Sequence, residues 1–181
     1  MKKLLLPLLI LTILAFKGHA QTDPPDPPVL MDLGASVGGP SGIASNSFNS
    51  VEGLTIKVEF PFAGARTYFT ATTGITVFNL KSTYAMDTTR QSAHYVPLEL
   101  GIKQFLYKGI YVEGDVGESF NINSNYMGYE SGFMYSPAIG FSLPLKQAYQ
   151  FIDFNLKYEG RLEQGGSINQ IAFGIAYKFG L

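Results

Sequence analysis

Strict alternation of apolar and polar residues is the feature of this sequence that most limits its fold. In the final eleven residues, IAFGIAYKFGL, large apolar side chains occupy every second position, and alanine, glycine or lysine lies between them. Successive side chains of a β-strand point to opposite faces. Such a strand is therefore apolar on one face and nearly bare on the other, as in a soluble β-sandwich or in a barrel wall that contacts lipid.

The same period of two recurs along most of the chain. The segment around Leu98 and Leu100 alternates with Glu99, and the segment around Leu156 alternates with Lys157. No segment keeps a helical period, so the sequence predicts an all-β fold. The eight predicted strands are 30–38, 51–61, 66–80, 94–106, 110–120, 132–144, 149–161 and 167–180.

The connections between these strands alternate in length. Long polar connections cover 39–50, 81–93 and 121–131, whereas tight turns lie at 63–64, 107–109 and 146–147. Leu106 and Ile110 share the apolar face, which predicts a three-residue hairpin with Gly109 in the left-handed conformation. The pattern predicts an antiparallel up-and-down barrel with its long loops at one end and its tight turns at the other.

The start of the chain resembles an export signal. Lys2 and Lys3 precede an apolar run that ends at Phe16, and Gly18 and Ala20 are small residues at the spacing of a cleavage site. We therefore predict a secretory signal peptide over residues 1–20. A proline-rich tether follows at 21–29, and 30–181 form one barrel domain, because a mature chain of about 160 residues suits a single domain.

Composition separates this chain from ordinary soluble domains. Charged residues make up 15% of the sequence, against about 25% in a typical soluble domain. A net charge of −1 gives no reason to expect a nucleic-acid partner. The chain has no cysteine, which excludes disulfides, a lipid-modified cysteine and thiolate metal sites.

Two kinds of eight-stranded barrel fit the alternation. A soluble lipocalin-like barrel places its apolar face inside around a hydrophobic ligand, whereas an outer-membrane barrel turns that face to lipid. The low charge content favours the outer-membrane barrel. Charges inside its narrow lumen would have to form pairs, so the interior should be close to neutral. The predicted interior charge network, which is nearly balanced in sign, consists of Asp32, Lys57, Glu59, Arg66, Glu99, Lys103, Glu113, Asp115, Asp153, Lys157, Glu159, Arg161 and Lys178.

The carboxy-terminal strand carries a more specific pattern. Gly174 is followed by aromatic residues three and five positions later, Tyr177 and Phe179. In this respect the chain resembles the small eight-stranded outer-membrane β-barrel proteins of Gram-negative bacteria, of the OmpX and OmpA kind. The segment VPLELGIKQFLY and the final residues are most similar to Bacteroidota members. It departs from that pattern at Ala172, where a polar residue is usual, and at the final Leu181, where phenylalanine is usual.

The resemblance implies a location and partners. It implies export by the general secretory pathway to the outer membrane, where Gly174, Tyr177 and Phe179 act as the signal for the barrel-assembly machinery. Lipid and lipopolysaccharide would then surround a monomeric barrel. An extracellular ligand could contact the long loops at 39–50, 81–93 and 121–131, although the sequence names none.

Evidence for catalysis is sparse. Some barrels of this family act on lipid A with a histidine, a serine and a carboxylate, and here His94 with nearby Ser92 is the alternative that would make the chain a lipid-A-modifying enzyme. No acid is marked out to complete a triad, and no nucleotide-binding or metal-spaced motif occurs. The sequence therefore predicts a non-enzymatic barrel without a cofactor or metal. We expect its lumen to be plugged and its role to be in envelope integrity or surface interaction.

Overall fold

The computed structural model describes residues 28–62, 66–81, 92–123, 131–163 and 166–181. Within these ranges, no helix has the length and apolar character needed to cross a bilayer. The strands are β1 (Leu30–Ser41), β2 (Phe48–Phe62), β3 (Thr67–Leu80), β4 (Ala93–Tyr107), β5 (Ile110–Asn121), β6 (Ser131–Pro144), β7 (Gln150–Glu163) and β8 (Gly166–Gly180). A single-turn helix, α1 (Ala44–Ser47), lies between β1 and β2.

The eight strands form one closed antiparallel barrel in which each strand pairs with its neighbours in sequence. The last strand closes the sheet against the first, with Leu33 opposite Tyr177 and Met31 opposite Phe179. The predicted up-and-down barrel is therefore confirmed. Closure removes the free edges that would otherwise leave backbone groups unpaired.

The side-chain alternation is inverted relative to a soluble protein. Large apolar residues face outward and are exposed, as with Leu54 (65% exposed) and Leu100 (66%). Charged residues face inward and are buried, as with Lys103 and Arg161 (both 0%). A lipocalin-like barrel has the opposite arrangement, so the alternative of a soluble barrel with an apolar ligand cavity does not describe this chain.

The predicted strands match the observed ones to within a few residues, and the differences lie mainly at the loop end. The predicted loop 39–50 is largely ordered, because β1 continues to Ser41, α1 follows, and β2 already begins at Phe48. The predicted signal peptide 1–20 and most of the tether 21–29 lie outside the described residues, as do 82–91 and 124–130 of the other two long loops.

The turn between β4 and β5 differs in detail from the predicted hairpin. Tyr107 pairs with Ile110, so only Lys108 and Gly109 form the turn, and both have positive φ angles of 43° and 86°. Two such residues match the right-handed twist of the flanking strands. A bulge between Phe105 and Tyr107 restores Leu106 and Ile110 to the same face. Gly109 is left-handed as predicted, but the three-residue loop is wrong.

Candidate functional site: the charged lumen and its two ends

Lys103, on β4, lies at the centre of the largest group of buried charges. Its ammonium forms a hydrogen-bonded ion pair with Glu59 on β2, lies 3.1 Å from Asp153 Oδ2 on β7, and lies 3.5 Å from Glu113 Oε2 on β5. Glu113 also pairs with Lys57. Of these contacts, the one between Lys103 and Glu113 joins neighbouring strands. The others join strands that are not neighbours in the sheet, so they cross the lumen rather than follow its wall.

Lys178, on β8, approaches the same carboxylates from the other side. Its ammonium lies 3.0 Å from Glu59 Oε1 and 3.0 Å from Asp153 Oδ2. Asp32 Oδ2 is more distant, at 3.8 Å from Lys178 and 4.0 Å from Lys103. The two lysines and three carboxylates therefore form one buried network in the half of the barrel nearer the tight turns.

This network also has the spacing of a cation site. Carboxylate oxygens of Asp32, Glu59 and Asp153 lie within 4.8 Å of one another. However, the ammonium groups of Lys103 and Lys178 already lie among these oxygens. A metal ion would have to displace two buried cations, so the geometry is that of an ion-pair network and not of a metal centre.

A second charged cluster lies nearer the long loops. Arg161 Nη2 donates to Glu159 Oε2 at 2.9 Å, and Arg161 Nε donates to Ser119 Oγ at 3.1 Å. Lys157 and the side-chain amide of Gln170 also contact Glu159. Glu159 thus has two cations and one neutral donor, which satisfies a buried carboxylate.

Two buried carboxylates are held differently. Among the described residues, neither Glu99 nor Asp115 has an ion pair within 4.0 Å. Instead, Glu99 accepts a hydrogen bond from the Ser136 hydroxyl and Asp115 accepts one from the Thr70 hydroxyl at 2.7 Å. They account for the imbalance of the described lumen, where seven carboxylates face five cations. The predicted sixth interior cation, Arg66, is instead exposed at the turn before β3.

An apolar cluster occupies the loop end of the lumen. It comprises Ala44, Phe48, Val51, Phe78, Ala93 and Tyr95, with Leu80 and Ile168 packed against it. Helix α1 contributes Ala44 and is held in place by Lys81, whose ammonium donates to the Ser45 carbonyl at 2.6 Å. The guanidinium of Arg161 lies 5.1 Å from the centroids of both the Phe78 and the Tyr95 rings. At this end of the barrel, the apolar cluster therefore lies nearer the loops, and the charged cluster around Arg161 lies nearer the barrel centre.

The turn end is open by comparison. A recess of about 640 Å³ is lined there by Tyr68, Phe105 and Phe151, with Arg66 and Lys108 among its other lining residues. Lys178 also lines it, with its ammonium 5.7 Å from the Phe105 ring centroid and 5.9 Å from that of Phe151. The lumen therefore opens toward the tight turns as a shallow aromatic cup.

Among the described side chains, no hydrogen bond joins Ser92 and His94, the residues considered for catalysis. His94 alternates along β4 with buried Ala93 and Tyr95, so its side chain lies on the outer face. The Ser92 hydroxyl accepts a hydrogen bond from the Leu80 backbone N–H at 3.3 Å. In the described part of the chain, no carboxylate forms an ion pair with His94. A triad of base, nucleophile and acid is not assembled by these side chains.

The carboxy-terminal pattern lies on β8 at the turn end. Tyr177 and Phe179 point outward, and their rings stack with centroids 5.8 Å apart and planes 29° apart. Gly174 points inward, and a Cβ there would lie 2.6 Å from Asn155 Oδ1. The two aromatic residues are thus accessible from outside the barrel, whereas the glycine makes room inside it.

Comparison with known proteins supports the fold and not a family. No family model matches the chain, and no curated protein is similar to it in sequence. Among solved structures, the crystal structure of Ail, the attachment invasion locus protein of Yersinia pestis, is 10% identical with a TM-score of 0.51, covering 86% of this chain and all of Ail. The structure of this outer-membrane protein in a phospholipid nanodisc gives 11%, a TM-score of 0.57, and coverage of 85% and 100%.

The chain shares the barrel fold of Ail. A third similar structure is Ail in complex with the heparin analogue sucrose octasulfate, at 10% identity and a TM-score of 0.50, covering 86% of this chain and 100% of Ail. At such identities the likeness extends to the fold alone. The site must therefore be interpreted from this chain's own residues.

Sequence reasoning missed two parts of this site. The apolar cluster at the loop end includes Phe48 and Ala44, which the sequence pattern places in the long polar connection 39–50. The inward alternation of Phe48, Val51 and Phe78 was the available signal, but a bulge between Phe48 and Ser50 interrupts its period. The cup at the turn end was also missed, because it combines side chains from strands far apart in sequence.

Proposed function

We propose that this protein is a non-enzymatic, integral outer-membrane β-barrel whose lumen is plugged, and that it serves envelope integrity or surface interaction. The observation that carries the proposal is the exterior: all eight strands present large apolar side chains outward. Contiguous exposed apolar surface on this scale is far larger than monomeric soluble proteins carry, and an outer-membrane barrel presents just such an apolar band to lipid. The similar fold of an outer-membrane protein supports the same location.

The plugged lumen rests on how the interior is filled. An eight-stranded barrel has room for little more than its own side chains. Here Arg161, Lys103 and Lys178 are fully buried. Lys103 and Lys178 are bonded to carboxylates from other strands, whereas Arg161 is bonded to Glu159 on its own strand and to Ser119 on β5. Together with the apolar cluster at the loop end, these buried side chains support a lumen that does not admit a hydrated solute.

A surface-interaction role would use the long loops. These loops carry more acidic than basic residues, whereas a polyanionic ligand requires an excess of basic residues. Residues at or near the loop end include five acids, Glu52, Asp87, Glu118, Glu130 and Glu163, and two bases, Lys81 and Arg90. A heparin-like polyanion, as bound by Ail, would be repelled by this excess of acids. We therefore propose that any surface partner of this barrel is neutral or basic.

Fractionation of cells that express the full chain tests the proposal. We expect the protein in the outer-membrane fraction, released only by detergent, and migrating on a gel as a compact species until it is boiled. Recovery in the soluble fraction without detergent would contradict it. For the enzyme alternative, purified protein and the His94→Ala variant should be equally inactive on lipopolysaccharide, and activity lost only in the variant would contradict the non-enzymatic role.

A further inference from the structure

Charge is distributed unequally between the two ends of the barrel. Each of the three tight turns carries a single charged residue, and in every case it is a cation: Arg66, Lys108 and Lys146. All three are exposed. Among the described side chains of this end, none is acidic outside the buried network. In a bilayer, these three exposed cations would lie at the headgroup level of one leaflet.

Arg66 and Lys108 are brought to one place by strand pairing. The Arg66 carbonyl accepts hydrogen bonds from the Phe105 backbone N–H at 2.8 Å and from Gln104 Nε2 at 3.2 Å. Arg66 is thereby fixed beside the end of β4, next to the turn that carries Lys108. Both cations line the same recess, and none of its described lining residues is acidic.

The walls of this recess continue onto the outer surface. Leu106 and Tyr107 line it as well, and they are 53% and 64% exposed. Leu106 belongs to the outward apolar face, and the Lys108 ammonium lies 5.1 Å from the Tyr107 ring centroid. Two cations thus lie beside a tyrosine, and a strip of apolar wall follows. This order is complementary to a phospholipid, in which a charged headgroup is followed by apolar acyl chains.

We propose that the recess between Arg66 and Lys108 is a binding site for the phosphate headgroup of an anionic phospholipid, with the acyl chains lying along the outer wall past Leu106. The inference rests on the proposed membrane location and adds a lipid class and a leaflet to it. Arginine offers paired donors to phosphate, and lysine adds a point charge. The site would orient the tight turns toward a phospholipid leaflet.

Native mass spectrometry of the full mature barrel, released from nanodiscs of mixed phosphatidylcholine and phosphatidylglycerol, tests this site. We expect one phosphatidylglycerol to be retained in preference to phosphatidylcholine. The preference should fall about fivefold for each cation removed in Arg66→Gln and Lys108→Gln. The charge-conserving pair Arg66→Lys with Lys108→Arg should keep it, and Lys146→Gln, outside the recess, should change it little.

Several results would overturn the inference. They are no preference in the wild type, an unchanged preference in the double glutamine variant, or an equal loss in Lys146→Gln. Complete competition by inorganic phosphate would mean a simple anion site. If the preference appears only after Asp23→Asn and Asp26→Asn, the acidic tether and not a lipid occupies the recess in the wild type. Heat-modifiable migration of each variant reports membrane folding separately, so failure of the proposed location is distinguishable from failure of the lipid site.

Discussion

Lys103 on β4 and Asp153 on β7 form an ion pair of 3.1 Å across the lumen, between strands that share no backbone hydrogen bonds. Bonds of this kind brace the barrel from inside, since each fixes the distance between opposite walls. They also occupy space inside the lumen. The side chains that stabilise the barrel are therefore the ones on which the proposed closure of the lumen depends.

Neutralising a paired carboxylate should destabilise the barrel far more than neutralising an unpaired one. Glu59→Gln leaves Lys103 and Lys178 with one partner fewer, which should cost about 3–5 kcal/mol of unfolding free energy. Glu99→Gln keeps an acceptor for the Ser136 hydroxyl and removes a buried charge that lacks a cation, so stability should be equal or higher. Urea unfolding in lipid vesicles, followed by circular dichroism, measures both. Equal losses in the two variants would contradict the network described here.

A polar substitution at an outward-facing position should destabilise the barrel far more than one at an inward-facing position. Leu156 faces out and neighbouring Asn155 faces in. Leu156→Arg should lower the free energy of unfolding in vesicles by about 2–4 kcal/mol if the residue lies near the bilayer midplane. Asn155→Ser should have a mild effect. Heat-modifiable migration that survives Leu156→Arg and is lost in Asn155→Ser would mean that the faces are reversed.

Gly140 is required by a tyrosine on the neighbouring strand. Tyr111 is buried opposite it, and a Cβ at position 140 would overlap the Tyr111 ring and lie 2.6 Å from the Phe154 carbonyl oxygen. Gly140→Ala should therefore cost about 1–3 kcal/mol through overpacking. Gly114→Ala is the matched control, because nothing lies within 4 Å of a Cβ there. The same vesicle unfolding assay applies, and equal stability of the two variants would argue against this packing.

The proposed plugged lumen predicts the absence of conduction. Purified protein in planar bilayers should give no stable single-channel steps, because paired charges and the apolar cluster around Phe78 and Tyr95 occupy the interior. Phe78→Ala with Tyr95→Ala tests the closure at the loop end, and the charged network beneath should still prevent large steps. Reproducible large conductance from the wild-type monomer would contradict the plugged lumen.

The sequence was sufficient to predict which side chains face inward and which face outward, and also most strand boundaries, because alternation is a local property. Glu59, Lys103 and Asp153 could be assigned inward by parity alone. Their partners could not be predicted, because pairing across the lumen depends on the stagger of strands around the closed sheet. For example, Lys157 bonds to Glu159 on its own strand, and Lys103 reaches β2, β5 and β7.

Other errors came from the ends of the strands, where parity stops being informative. Arg66 was assigned inward by extending β3 one residue too far, and the strand begins at Thr67 instead. The bulge near Leu106 shortened the adjacent turn by one residue. At the loop end, residues that read as a polar connection form α1 and part of the apolar cluster, since burial there depends on strands distant in sequence.

The most direct test of the central claim uses the absence of cysteine, which makes single-cysteine labelling unambiguous. We would place cysteine at one outward wall position, Leu100→Cys, and at one exposed turn position, Lys146→Cys, in barrels folded into phosphatidylcholine vesicles. We expect a membrane-impermeant maleimide to label Lys146→Cys on barrels whose turns face the outside of the vesicle. Leu100→Cys should stay unlabelled until detergent or denaturant is added. Rapid labelling of Leu100→Cys in intact vesicles would contradict the claim that the apolar face contacts lipid.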